Sequence, residues 1–198
     1  MKRLRIHRCL LILLTAPTLL AALVAVSVSL SRPLAATEPG KCAGADQVFP
    51  GFIAKNPPAP VSEQLFHGED GAERRLSQHR GRGVVFNFWA TWCAPCVREM
   101  PQLNRLKPLL APDGIDVVTI SEDRKGVPLV KKFYQINNLN NLAIDIDTGG
   151  KVLRDSKVIG LPATLFINAD GLEVGRVYGI SEWDSKEAVA FFRRCLKP

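Results

Sequence analysis

An apolar run at residues 84–89 leads directly to two closely spaced cysteines, Cys93 and Cys96, and this junction constrains the fold most strongly. Valine and aromatic residues dominate the run, which is typical of a strand buried on both faces of a sheet. The residues after it carry apolar side chains at helical spacing: Val97, Met100, Leu103 and Leu106. The cysteines are therefore predicted to lie at the N-terminus of a helix that begins where a buried strand ends.

The position of the two cysteines predicts thiol chemistry. Unpaired backbone N–H groups and the positive end of the helix dipole favour an anion at a helix N-terminus. A thiolate is such an anion, so Cys93, the more N-terminal sulfur, should be the nucleophile. Cys96 lies one turn further on and can release a mixed disulfide by attacking the Cys93 sulfur. The pair is therefore interpreted as a dithiol–disulfide exchange site that needs no cofactor.

Two metal-binding interpretations compete with this one. A structural zinc site needs four ligands, usually with a second Cys or His pair at short spacing. The three histidines, His7, His67 and His79, all precede the motif, and the sequence has no second close cysteine pair. No metal site is therefore predicted, and a non-catalytic metallochaperone that binds Cu(I) through Cys93 and Cys96 remains an alternative.

The N-terminal residues predict a membrane anchor. Basic residues within positions 1–8 precede an almost unbroken apolar run at residues 9–30, which is long enough to cross a bilayer once. We favour an uncleaved signal-anchor at residues 1–31 over a cleaved signal peptide, because Leu34 is a poor residue at the −3 position of the candidate cleavage site. The basic residues belong on the cytoplasmic side, so the rest of the chain should face the periplasm from the inner membrane.

The charge and composition of the remaining chain predict one exported domain. The net charge is +7, but about +4 lies within residues 1–8, and the remainder is too small to indicate nucleic-acid binding. Residues 32–56 are rich in Pro, Ala and Gly and are interpreted as a periplasmic tether and lead-in. The globular domain is predicted to span residues 57–198.

The order of predicted elements in this domain indicates an α/β fold. Residues 64–76 predict a β-hairpin ahead of the main strand, and Pro108 and the run Pro112–Gly114 are predicted to end the helix after the cysteines. The later elements are a strand at 115–120, a helix at 126–136, an inserted short strand and helix within 142–157, a strand at 160–168 with a proline at its entrance, a strand at 173–178 and a helix at 185–196.

These motifs resemble those of the membrane-anchored thioredoxin-like proteins of bacteria, the TlpA/ResA/CcmG group. The resemblance covers residues 57–197. Residues 87–101 match the group's signature around the cysteines nearly residue for residue, and the runs 121–124, 160–164 and 182–183 fall where TlpA-like sequences have similar ones. The resemblance implies a thioredoxin-like fold, with a central mixed sheet flanked by helices, and protein-disulfide reductase activity.

The resemblance also implies a substrate-docking surface. Leu161 and Pro162 would form a cis peptide bond beside the Cys93 sulfur, where backbone groups could pair with an extended segment of a substrate. The residues around the nucleophile would complete this surface, namely Trp92, Ala94 and Pro95.

Glu99 is a further candidate for a role in catalysis. In the ResA-like proteins the matching glutamate helps to move the proton of the buried cysteine. Asn87 lies where thioredoxin has a buried aspartate for this task, and an amide cannot titrate. The alternative is that Glu99 only complements the dipole of its helix.

Two more cysteines lie near the ends of the exported domain. TlpA-like proteins carry a second disulfide that starts in the N-terminal segment, which implies a structural disulfide between Cys42 and Cys195. The sequence alone leaves two alternatives to this disulfide, a buried free thiol at Cys195 or an intermolecular bridge through Cys42.

The predicted function is a periplasm-facing protein-disulfide reductase that a membrane thiol reductant re-reduces. The TlpA-like resemblance implies a copper chaperone and the copper-binding subunit of cytochrome oxidase as substrates. Resemblance to ResA and CcmG implies instead the haem-attachment cysteines of apocytochrome c. A disulfide oxidase remains the enzymatic alternative, because Ala94 and Pro95 between the cysteines do not fix the direction of the reaction.

Overall fold

The computed structural model describes residues 41–198. The predicted anchor at residues 1–31 and the first part of the predicted tether lie outside the described residues. Within residues 41–198, no helix combines the length and the apolar character that a bilayer crossing requires.

The described chain contains eight strands and five helices. The strands are β1 (Ile53–Pro60), β2 (Phe66–Gly68), β3 (Glu73–Arg74), β4 (Gly83–Trp89), β5 (Ile115–Ser121), β6 (Asp145–Ile146), β7 (Ala163–Ile167) and β8 (Leu172–Tyr178). The helices are α1 (Ala45–Val48), α2 (Ala94–Leu110), α3 (Val127–Ile136), α4 (Lys151–Asp155) and α5 (Lys186–Leu196).

All eight strands form one mixed sheet in the order β1-β8-β7-β4-β5-β6-β2-β3. The buried strand β4 lies at the centre, parallel to β5 and antiparallel to β7. Its side chains alternate between the two faces. Val85 and Trp89 belong to the core that contains α2 and α5, whereas Phe86 and Phe88 belong to a second core on the opposite face with Val152 of α4.

This architecture confirms the predicted α/β, thioredoxin-like fold. Helices cover both faces of a central mixed sheet, the predicted N-terminal hairpin is formed by β2 and β3, and β6 with α4 forms the inserted β-α segment. β4 is the fourth of the eight strands, so its carboxyl end and the cysteines after it lie near the middle of one end of the sheet.

The lead-in segment extends the domain beyond the predicted boundary at residue 57. Phe49, just after α1, is fully buried. β1 is an edge strand that pairs with β8, and edge strands tolerate proline because one side needs no hydrogen-bond partner. A Cβ atom at Gly175 of β8 would clash with the Phe52 ring, so glycine permits this close packing. The predicted boundary thus falls inside β1, and the segment interpreted as tether belongs to the domain from Ala45 onward.

Helix α2 continues past Pro108, the first of the two predicted stops, and ends at Leu110, just before the second at Pro112–Gly114. A proline inside a helix leaves the carbonyl four residues earlier without its usual N–H donor. Here that carbonyl belongs to Asn104, and the side-chain amide of Asn141 donates to it at 3.0 Å. The replacement donor allows the helix to keep Leu106 and Leu110 in the core.

Cys42 and Cys195 form a disulfide that joins the lead-in segment to α5. The two cysteines are 153 residues apart in sequence, so the bond closes a loop around nearly the whole domain. Such a cross-link lowers the entropy of the unfolded chain.

Replacing both Cys42 and Cys195 with alanine should lower the free energy of unfolding by about 2–5 kcal/mol, because the unfolded chain regains that entropy. Chemical denaturation measures the change, in a Cys93→Ser/Cys96→Ser background so that only this disulfide differs. Equal midpoints with and without the disulfide would contradict a stabilising role.

Candidate active site

The two cysteines lie where β4 leads into α2. Cys93 is the N-cap residue of α2, and its Sγ accepts a hydrogen bond from the Cys96 backbone N–H at 3.3 Å. Cys96 follows in the first turn, and the two sulfurs form a disulfide. Cys93 retains 6% exposure whereas Cys96 is fully buried. Cys93 is therefore the more accessible of the two sulfurs.

The turn that precedes Cys93 is fixed by a buried aspartate. Asp123, just after β5, accepts hydrogen bonds from the Thr91 backbone N–H at 2.8 Å and from the Thr91 hydroxyl at 2.7 Å. The Ser121 hydroxyl also donates to this carboxylate at 2.8 Å. The run 121–124, noted for its resemblance to TlpA-like sequences, thus holds the loop that precedes Cys93.

Glu99 lies one turn after Cys96 and is only 1% exposed. Its Oε1 accepts a hydrogen bond from Asn87 Nδ2, and its Oε2 accepts one from Trp183 Nε1, both at 2.8 Å. Burial raises the pKa of the Glu99 carboxyl to about 7, while the Trp183 and Asn87 donors oppose the rise by stabilising the carboxylate. Near neutral pH this carboxyl can therefore both accept and release a proton.

Asn87 and Thr164 offer Glu99 a partner in either protonation state. Asn87 Nδ2 donates to Glu99, an arrangement that suits an ionised carboxylate. It also donates to Thr164 Oγ1 at 2.9 Å. The buried Asn87 Oδ1 has no hydrogen-bond partner within the described residues. A half-turn of the amide would present Oδ1 to Glu99, where it accepts the proton of a neutral carboxyl. The Thr164 hydroxyl can change from acceptor to donor to match.

The predicted docking residues surround the carboxyl end of β4. The Leu161–Pro162 peptide bond is cis. Ala163 pairs with Phe88, so Pro162 lies beside the end of β4 from which Cys93 follows. The Pro162 carbonyl accepts a hydrogen bond from the Gly179 N–H at 2.9 Å. Trp92 and Ala94 are exposed, Pro95 and Leu161 are half-buried, and two further exposed apolar residues belong to the adjoining loops, Ile159 and Ile180.

A groove of about 590 Å³ includes Glu99 in its lining. It lies between the lead-in segment, α2 and the loop from β8 to α5, and its walls include Val48, Arg98, Gln102 and Glu182. Within residues 41–198, no cluster of three or more His, Cys, Asp or Glu side chains is arranged to hold a metal ion.

The sequence named Glu99 and Asn87 but did not predict that Asn87 and Trp183 donate hydrogen bonds to Glu99. The contact of Asn87 with Glu99 could have been predicted, because alternate residues of a strand share a face and residues 85, 87 and 89 therefore face α2 together. The contact of Trp183 with Glu99 could not have been predicted, since Trp183 is 84 residues from Glu99 and belongs to no regular element. Only the packed structure brings its indole to the carboxyl.

A sequence profile of the AhpC/TSA family matches residues 47–172, which include both active-site cysteines, Glu99 and the Pro162 turn. The chain belongs to the AhpC/TSA family. Within this family it is similar to the thiol-disulfide oxidoreductase ResA of Geobacillus kaustophilus, with 37% identity over 128 residues that cover 65% of this chain and 71% of the relative. The predicted resemblance to the TlpA/ResA/CcmG group is thereby confirmed.

One further relative and one solved structure show how much of the chain is matched. ResA of Bacillus thuringiensis is 34% identical over 110 residues that cover 56% of this chain and 62% of the relative, so the chain spans less than two thirds of that relative's length. The crystal structure of the exposed lipoprotein thioredoxin Etrx1 of Streptococcus pneumoniae has a TM-score of 0.56 and 27% identity, and the match covers 67% of this chain and 98% of the other.

The pH dependence of stability should report the burial of Glu99. Between about pH 4.5 and about pH 7 the unfolded chain has released the Glu99 proton while the folded chain retains it. The free energy of unfolding should therefore fall as the pH rises through this range, by up to about 3 kcal/mol for this group.

A Glu99→Gln variant, which imitates the neutral carboxyl, should lack this contribution. Denaturation of the oxidised protein at pH 5 and pH 8 measures the difference, and Glu122, whose pKa burial also raises, to about 8, contributes equally to both proteins. Parallel pH curves for wild type and variant would contradict the raised pKa of Glu99.

Proposed function

We propose that the chain is a thiol:disulfide oxidoreductase that reduces disulfide bonds in other proteins. The arrangement of Cys93, Cys96 and Glu99 on the first two turns of α2 carries the proposal. A slightly exposed sulfur at a helix N-terminus lies next to a fully buried sulfur, and a carboxyl that titrates near neutral pH follows one turn later. This combination supplies a nucleophile, a resolving thiol and a group that can take the proton of that thiol.

The first step is attack by the Cys93 thiolate on one sulfur of a substrate disulfide. The substrate S–S bond breaks, a mixed disulfide forms between Cys93 and the substrate, and the second substrate sulfur leaves as a thiolate that takes a proton from solvent. The Cys96 N–H and the N-terminus of α2 stabilise the Cys93 thiolate before the attack. Trp92 and the Leu161–Pro162 turn receive the substrate segment.

The second step releases the reduced substrate. The Cys96 thiol gives its proton to the Glu99 carboxylate, and the resulting thiolate attacks the Cys93 sulfur. The bond between Cys93 and the substrate breaks, the second substrate thiolate leaves, and the Cys93–Cys96 disulfide forms. Each cycle transfers two electrons to the substrate, so the pair needs a dithiol donor, which we assign to a membrane thiol reductant.

The catalytic domain faces the periplasm in this proposal, and residues 1–31 hold it to the inner membrane. The basic N-terminus followed by an apolar run supports this orientation. The Cys42–Cys195 disulfide supports it independently, because structural disulfides persist in oxidising compartments outside the cytoplasm. In such a compartment a reductant protects chosen thiols from oxidation.

The substrates are proteins whose metal- or haem-binding cysteines must stay reduced. The TlpA-like runs at 121–124 and 182–183 support copper delivery to cytochrome oxidase, with a copper chaperone or the oxidase copper subunit as substrate. Similarity to relatives named ResA supports the alternative, the haem-attachment cysteines of apocytochrome c.

A Cys96→Ser variant of the full-length chain should trap its substrate, because the mixed disulfide on Cys93 then has no resolving thiol. We expect covalent complexes that a reducing agent releases, and mass spectrometry of the released proteins distinguishes copper-binding proteins from apocytochromes. The matched Cys93→Ser variant, which lacks the nucleophile, should trap none. Equal trapping by both variants, together with no reduction of insulin disulfides by the wild type, would refute the proposed activity.

A further inference from the structure

A tryptophan far from the cysteines in sequence completes the hydrogen bonding of Glu99. Trp183 lies between β8 and α5 and is fully buried. Its indole Nε1–H donates to Glu99 Oε2 at 2.8 Å, and its backbone N–H donates to Gln102 Oε1 at 2.9 Å. Both contacts are made to α2, so Trp183 is fixed to the helix that carries Cys96 and Glu99.

The lead-in segment holds the indole ring in place. Phe49 stacks on Trp183 with ring centroids 5.4 Å apart and an interplanar angle of 30°, and Phe166 of β7 meets the indole edge-on at 6.4 Å. Phe49 follows α1, and the Cys42–Cys195 disulfide joins the chain just before α1 to α5. The disulfide and the aromatic stack therefore limit how far the indole can move from the Glu99 carboxyl.

Trp89 provides an internal comparison. It is also fully buried, and its ring stacks on Tyr134 with centroids 5.8 Å apart and an interplanar angle of 29°. Its indole N–H, however, has no hydrogen-bond partner within residues 41–198. The two tryptophans pack alike, but only Trp183 directs its N–H at a carboxyl group that can change charge.

We propose that Trp183 is a positioning residue for the exchange at Cys93 and Cys96: its N–H fixes the Glu99 carboxyl and sets the pH range in which it accepts the Cys96 proton. The inference deepens the proposed function and rests on it. A hydrogen bond to a carboxylate is stronger than one to the neutral acid, so this donor favours the charged form against the effect of burial. Phe49 and the second disulfide keep the donor in place.

The other polar and charged groups around Glu99 are retained when the Trp183 N–H is removed. Asn87 on β4 donates to Glu99, Thr164 on β7 accepts from Asn87, Cys96 lies one turn before Glu99 on α2, and Arg98, Gln102 and Glu182 line the same groove as Glu99. A Trp183→Phe variant leaves all of them unchanged, so an altered titration of Glu99 reports the lost N–H.

The first test follows the indole signals of the oxidised full-length chain, in which neither Cys93 nor Cys96 titrates. Nitrogen-15 labelling of the three tryptophans gives three indole N–H signals, which Trp89→Phe and Trp183→Phe variants assign. We expect the Trp183 signal to shift with pH, with a midpoint near 7, and to become constant in a Glu99→Gln variant. A Trp183 signal that does not respond to pH would overturn the proposal.

The second test measures the pH dependence of disulfide reduction by the full-length chain. Trp183→Phe keeps an aromatic ring and removes the donor, and we expect the midpoint of the rate profile to move about one pH unit to the alkaline side. Trp89→Phe is the matched control and should leave the midpoint unchanged. Phe49→Leu keeps the Trp183 N–H but weakens the packing against the indole ring, so it should cause a smaller shift of the midpoint in the same direction. It replaces Trp183→Phe if that variant does not fold.

The outcomes separate this proposal from the proposed function. Equal profiles for Trp183→Phe and Trp89→Phe, with a changed profile for Glu99→Gln, would refute the role of Trp183 and leave the reductase intact. A wild-type chain that reduces no protein disulfide would instead refute the proposed function, and the indole titration would still measure the coupling between Trp183 and Glu99.

Discussion

Burial of the Glu99 carboxyl is the constraint on which the rest of the site depends. An acidic group without water must be neutral or must receive strong donors, and this chain supplies the Asn87 and Trp183 N–H groups. Burial and hydrogen bonding act in opposite directions, and their balance places the pKa near the pH at which exchange would occur. The sheet, the lead-in segment and the second disulfide keep Glu99 and its two donors in the positions on which this balance depends.

These elements connect distant parts of the chain to the turn of α2 that carries Glu99. Alternation along β4 directs Asn87 at α2. The lead-in segment delivers Phe49 to the face of Trp183, and the Cys42–Cys195 disulfide fixes the segment to α5. Changes far from the active-site cysteines should therefore affect their protonation as well as the stability of the domain. A purely structural view of the second disulfide would not lead to this expectation.

Local patterns in the sequence predicted most of the elements and the position of Cys93 and Cys96 at the start of a helix, because buried strands, amphipathic helices and Asp-Gly turns leave clear signatures. Three features depended on distant contacts and were missed. β1 contains prolines and forms only because β8 offers an edge. Helix α2 continues past Pro108 because Asn141, remote in sequence, donates to the carbonyl that the proline leaves without a donor. Trp183 meets Glu99 only after the whole domain has packed.

The reduction potential of the Cys93–Cys96 pair at pH 7 tests the central claim most directly. It is measured by equilibrating the full-length chain with glutathione or a dithiol buffer of known potential, with the Cys42–Cys195 disulfide kept oxidised. The account predicts a value near or below about −230 mV, in the range of glutaredoxins and thioredoxin, which makes the pair a reductant. A value near about −120 mV, as in a strong oxidant, would contradict the account and assign the protein to disulfide formation.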